Sequence, residues 1–165
     1  MTTASIRLMI NGVHYNMART GNGPPLVLLH GFTGSLQTWT AIMPRLALDF
    51  DTIAIDLLGH GATDAPGDAA RYRAEWVVAD LVAMLDHLGV GSAAWLGYSM
   101  GARAALHVAI EHPDRVSALV LEGASPGIAD PKERAERVKS DGALANFIET
   151  EGVAAFVDRW ERLPL

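Results

Sequence analysis

The sequence predicts an α/β domain: a mostly parallel sheet that opens with an antiparallel hairpin and carries helices on both faces. Three observations predict it. Short, continuous apolar runs recur along the chain, as expected of strands buried on both faces. Helical patterns fall between those runs, and strands that alternate with helices imply parallel pairing. The first segment alternates in part instead and turns at Asn11-Gly12, a pair suited to the tight turn of a two-residue hairpin.

In chain order, Ser5 to Ile10 and Val13 to Met17 flank that turn and read as paired strands at a sheet edge. The loop from Gly21 to Pro25 then leads into Leu26 to Leu29, four apolar residues without interruption. Thr52 to Ile55, Ala93 to Leu96 and Val116 to Leu121 repeat the pattern, so all four runs are expected to be strands buried on both faces. Between them, Ala74 to Leu88 sets Val77, Leu81, Met84, Leu85 and Leu88 at helical spacing, with Glu75, Asp80 and Asp86 elsewhere and Gly89 as the stop. Met100 to His112 reads as a second helix ended by Pro113. From Pro131 the pattern changes. Residues 133–141 are charged, and Ala143 to Ile148 and Val153 to Trp160 read as short amphipathic helices anchored by Phe147, Ile148, Phe156 and Trp160. The expected division is therefore a sheet-bearing part over 1–128 and a helical part over 129–165.

Composition narrows the function classes. Half of the 165 residues are hydrophobic, enough to bury a core and to exclude disorder as a description of the whole chain. Cysteine is absent, which removes disulfides, thiolate zinc sites and cysteine nucleophiles. Acidic residues outnumber basic ones 19 to 13, and Lys132 and Lys139 are the only lysines. That balance argues against a nucleic-acid partner. Met1 to Asn16 holds no apolar stretch long enough for a secretory signal, and Ala93 to Ile110 is interrupted by Ser99, Arg103 and His107. A cytoplasmic chain with no membrane partner is expected. No His/Asp/Glu cluster has ligand spacing, so no metal site is expected.

The sharpest chemical signal is Gly97-Tyr98-Ser99-Met100-Gly101, a G-x-S-x-G lying between an apolar run and a helix. A serine raised on a tight strand-to-helix turn needs glycines on both sides so that neighbouring backbone can approach. Ser99 is thus the candidate nucleophile or base. An oxyanion beside it needs two fixed N–H donors. The motif assigns these to Met100 and to Phe32 in the segment His30-Gly31-Phe32, where His30 is expected to prop the loop. The segment Asp56 to Thr63, with Gly59, His60 and Gly61, reads as a rigid turn at a strand end. After Ser99 only His107 and His112 remain, both on the helix that the serine begins, so neither is expected to reach it. Glu122, at the end of the run from Val116, is the one candidate acid.

His30-Gly31-Phe32, Asp56-x-x-Gly59-His60-Gly61 and the Ser99 motif, in this order, resemble the α/β-hydrolase fold over essentially the whole chain. Four features narrow the resemblance to the 2-succinyl-6-hydroxy-2,4-cyclohexadiene-1-carboxylate synthases of menaquinone biosynthesis. These are His30 to Ser35 with Trp39, Gly97 to Arg103, Leu121 to Gly127, and Trp160 close to Pro164. The departures are small: Ala102 where a second glycine is usual and Thr63 where serine is common. The resemblance implies a lyase without metal or organic cofactor, in which a base removes a proton from a small anionic substrate and pyruvate is eliminated. It further implies Tyr98, Arg103, Arg137 and Trp160 as substrate-binding residues, the last two on the beginning of a helical cap. In the family an aspartate and a histidine that follow the serine activate it, and neither is found before Leu165. The chain is therefore expected to be about the N-terminal two-thirds of such an enzyme, inactive alone, with a complementing C-terminal polypeptide as its partner. The alternatives are a carboxylesterase or carbon–carbon bond hydrolase of the same fold and, outside enzymes, a non-catalytic interaction module.

Overall fold

The computed structural model describes residues 5–163. The chain divides into two compact units, Met1–Pro126 and Gly127–Leu165.

In the first unit, β1 (Ser5–Ile10) and β2 (Val13–Thr20) form the antiparallel hairpin. Its turn residues Asn11 and Gly12 have φ of 47° and 82°, the left-handed pair of a hairpin turn whose twist matches its strands. β3 (Pro25–Leu29), β4 (Asp51–Ile55), β5 (Ala93–Tyr98) and β6 (Val116–Glu122) complete a six-stranded sheet in the order β1-β2-β4-β3-β5-β6. β2 pairs antiparallel with β4, and every later pairing is parallel.

Strand alternation sends the side chains to two cores. Val27 and Leu29 with Ile53 and Ile55 meet α2 (Ala74–His87) and α3 (Met100–Glu111) through Leu81, Met84, Leu85, Ala105 and Val108. Leu26, Leu28 and Ala54 face the other way, onto Leu36 and Trp39 of a short 3-10 turn and Met43 of α1 (Met43–Leu46). The opposing directions follow from the two-residue period of a strand. Both faces are thus covered over β3 and β4, where only Pro25 is not fully buried.

Two expectations need correction. Asp80 does not share the solvated face with Glu75 and Asp86. It is fully buried on α2, where Arg71 Nη2 bonds both its oxygens at 2.9 and 2.7 Å, Asn11 Nδ2 donates at 2.9 Å, and the Tyr15 hydroxyl donates as well. Burial and this carboxylate hold the Tyr15 phenol well above its ordinary pKa. A helix position beside the apolar stripe can turn inward when charged and polar partners await it. The run from Val116 is not a strand buried on both faces either. Among the described residues β6 pairs only with β5, and Val120 and Leu121 are 54% and 36% exposed.

In the second unit, α4 (Pro131–Trp160) takes in the charged segment as well as both predicted short helices. Asp130 caps it by accepting from Lys132 N and Glu133 N, and Pro131 occupies the first turn, where its missing N–H costs nothing. Gly152, with φ 83° and ψ 167°, breaks the helical path. Two helical segments are therefore joined at a glycine, with Phe156 buried beyond it. Pro164 lies outside the described residues.

Candidate active site

The site is built where β5 turns into α3. Ser99 stands at that turn with φ 51° and ψ −109°, a conformation that costs a non-glycine residue about 1–3 kcal/mol and persists only when its surroundings enforce it. Two backbone hydrogen bonds and two close approaches do so. Ser99 N donates to Glu122 O at 2.8 Å, and Ser99 O accepts from Arg103 N at 3.1 Å. A Cβ at Gly97 would stand 2.5 Å from the Ala102 backbone, and one at Gly101 would stand 2.4 Å from Leu29 O. Both glycines of the motif are therefore steric requirements. Ala102 is fully buried against this turn, so the residue that departs from the family pattern fits there.

The loop after β3 lies beside the serine. A Cβ on Gly31 would fall 3.5 Å from Ser99 Cβ and 2.9 Å from the Tyr98 ring, so the absence of a side chain lets loop and turn meet. His30 is fully buried and holds this loop. Its Nε2 accepts from Leu57 N at 3.0 Å, which leaves Nδ1 to donate to Gly31 O at 2.7 Å. Burial lowers its pKa, in keeping with a neutral ring.

The segment after β4 is a closed polar network. The buried Asp56 carboxylate accepts from Leu36 N at 2.6 Å, Asn16 Nδ2 at 2.7 Å and Ala62 N at 2.9 Å. Thr63 Oγ1 donates to Asp56 O at 2.7 Å and accepts from Asn16 N at 2.9 Å. A Cβ at Gly61 would lie 2.1 Å from Asp56 Oδ2. His60, between the two glycines, faces Phe32 O with Nε2 and Leu58 O with Nδ1.

A cleft of about 390 Å³ opens between these segments and the N-terminal turns of α2 and α3. Phe32, Met100, Arg103 and His107 line it together with His60, Tyr72 and the apolar side chains of Leu57, Leu58, Val77 and Val78. No carboxylate is among its lining residues. Arg103 follows Ser99 by one helical turn and makes no ion pair among the described residues, whereas Arg7, Arg19, Arg71, Arg73 and Arg115 each bind an aspartate or glutamate. His107, one turn further on, lies 3.3 Å from Glu111.

Phe32, Met100 and Arg103 thus line one cleft in the first unit. Ser99 and Tyr98 stand at the turn beside Gly31 and are not among the residues that line it. Arg137 and Trp160 belong to the second unit. There, Arg137 Nε bonds both oxygens of Asp141 at 2.7 and 2.8 Å, and Trp160 stacks on Phe156 with ring centroids 5.4 Å apart. The lining roles of Tyr72, His60 and His107 escaped sequence reading. Only the glycines flanking His60 hinted that its ring would be held in place. Among the described residues no group of three or more His, Asp or Glu is placed to hold a metal, and no helix is long and apolar enough to cross a membrane.

Comparison with known proteins agrees with the fold. A family model described as the alpha/beta hydrolase fold matches residues 24–160. A Bacillus subtilis (strain 168) protein, provisionally named 2-succinyl-6-hydroxy-2,4-cyclohexadiene-1-carboxylate synthase, is 45% identical over 94% of this chain and 57% of its own length. The protein of that name from Pectobacterium atrosepticum is 35% identical over 83% of this chain and 53% of its own. Among solved structures, a Vigna radiata epoxide hydrolase mutant superposes with a TM-score of 0.79 at 26% identity, over 92% of this chain and 52% of that one. The chain spans slightly more than half the length of these relatives.

Proposed function

We propose, from the premise that this chain belongs to the α/β-hydrolase fold family, that it carries the serine half of a lyase of menaquinone biosynthesis. In this reading the enzyme takes a small cyclohexene substrate bearing several carboxylates and removes a proton from its ring; the electron pair left behind forms a ring double bond and expels pyruvate as its enolate, which takes up a proton. Ser99 acts as the base. Charge that develops on oxygen is met by the N–H groups of Phe32 and Met100, because fixed donors aimed at developing charge need no reorganisation during reaction. Relatives named as synthases support the reading. The observation that carries it is Arg103, a cation with no ion-pair partner among the described residues, one turn from Ser99 in a cleft with no carboxylate among its lining residues. A polyanion needs such a charge, and a planar guanidinium can grip a carboxylate with two bonds. Tyr98 would line the substrate face, and the family resemblance assigns Arg137 and Trp160 to substrate binding as well.

A serine acting as base needs its own proton removed. His30 and His60 spend their nitrogens on loop backbone, and His107 faces Glu111. We assign the activating aspartate and histidine to a complementing polypeptide that works with this chain in the cytoplasm. Pyruvate release by the complemented protein is the test. Ser99→Ala abolishes it, and Arg103→Ala lowers kcat/KM by about a hundredfold. If Arg103→Ala leaves pyruvate release intact while ester cleavage collapses, the hydrolase alternative takes over. If no complementing polypeptide restores any turnover, the chain is a non-catalytic module.

A further inference from the structure

His30 and His60 lie with ring centroids 5.2 Å apart, yet their surroundings make opposite demands. His30 meets one donor and one acceptor, Leu57 N and Gly31 O, which a neutral imidazole satisfies in full. His60 meets two acceptors. Its Nδ1 lies 3.0 Å from Leu58 O, and its Nε2 is in short contact with Phe32 O. A carbonyl oxygen only accepts, and a neutral imidazole carries one N–H. The closer of the two contacts is the one to Phe32 O.

The consequence falls on Phe32. A trans peptide unit is planar, with its C=O and N–H pointing opposite ways. The Phe32 N–H is therefore aimed by whatever holds Gly31 O, namely His30 Nδ1 and Gly34 N at 3.0 Å. His60 holds the next carbonyl, that of Phe32 itself. Both peptide planes flanking the Phe32 Cα are pinned, and its φ and ψ have little room left.

We propose that His60, through the contact of its Nε2 with Phe32 O, is a positioning residue that locks Phe32 in the orientation required of an oxyanion donor. The proposal rests on the reading of Phe32 as such a donor.

Amide exchange at Phe32, Thr33 and Gly34 of the intact protein, taken relative to the intrinsic rate of each amide at one fixed pH, tests this beside histidine-selective 15N NMR. In His60→Asn, too short to reach Phe32 O, protection of these amides should fall by about tenfold, the scale of one hydrogen bond. His60→Gln, whose amide reaches the position of Nε2, should restore it. A folded His60→Asn protein whose loop is protected like the parent overturns the proposal, as does a His60→Gln protein no better protected than His60→Asn. Should either variant fail to fold, the parent decides by itself: 15N NMR that finds no proton on His60 Nε2 overturns the proposal. None of these measurements involves pyruvate, so failure of the synthase reading and failure of the His60 assignment are separate results.

Discussion

β4 and β6 are parallel-paired strands of one sheet with similar apolar sequences, and they end in opposite states. Every residue of β4 is buried, between β2 and β3 in the plane and between two cores across it. No residue of β6 is fully buried, and among the described residues β6 has a neighbour on one side only. An apolar run states what a strand can tolerate on its faces. Coverage depends on what other elements supply, and β6 receives α3 and β5 alone among the larger contributors. An apolar parallel strand with an open backbone edge is a template for further pairing.

The contrast makes graded predictions, measured by chemical denaturation of the purified protein unless stated otherwise. The largest effect is expected where the covered side holds a buried charge pair. Asp80→Ala strands Arg71, whose side chain is 15% exposed, and should cost about 3–5 kcal/mol. A loss below 1 kcal/mol would mean that Arg71 swings out to water. Next comes Ile53→Ala in β4, where truncating a fully buried side chain should remove about 2–5 kcal/mol. Gly97→Ala, whose new Cβ meets the Ala102 backbone, should cost about 1–3 kcal/mol by overpacking. A smaller, pH-dependent effect belongs to His30. Its pKa is lowered on folding, so the unfolded chain binds more protons as pH falls below about 6.5, and stability should decline in that window. His30→Asn should flatten that part of a melting-temperature profile. The smallest change is expected from Val120→Ala in β6, within about 0.5 kcal/mol. Val120→Lys should leave stability alone as well but reduce aggregation in light scattering, since an edge charge blocks pairing. If Val120→Ala matched Ile53→Ala, the exposure of β6 would not describe the protein in solution.

Much of the fold was legible because the signals are local. Asn11-Gly12 announces its turn, four apolar runs announce four strands, and glycines at 97 and 101 announce the strand-to-helix turn at Ser99. What was not legible depends on partners distant in sequence. Asp80 reads as a polar helix position until Asn11 and Tyr15, more than sixty residues earlier, are seen to reach it. The extent of α4 was underestimated, although Asp130-Pro131 is a strong start signal, because charge over 133–141 says nothing about helicity by itself. At the site, Ser99, Met100 and Phe32 follow from motif spacing, while Arg103, Arg137 and Trp160 came from resemblance. The hold of His60 on the Phe32 carbonyl joins two loops, and no spacing rule within either loop encodes it.

The conformation of Ser99 bears on any attempt to transplant it. Five residues spell the motif, but its backbone is held by Leu29 O on one strand, the Glu122 carbonyl on another and the Ala102 backbone on the helix. A pentapeptide grafted onto a new scaffold would arrive without these three abutments and relax to an ordinary turn. The smallest portable unit of this serine is therefore three adjacent strands and one helix.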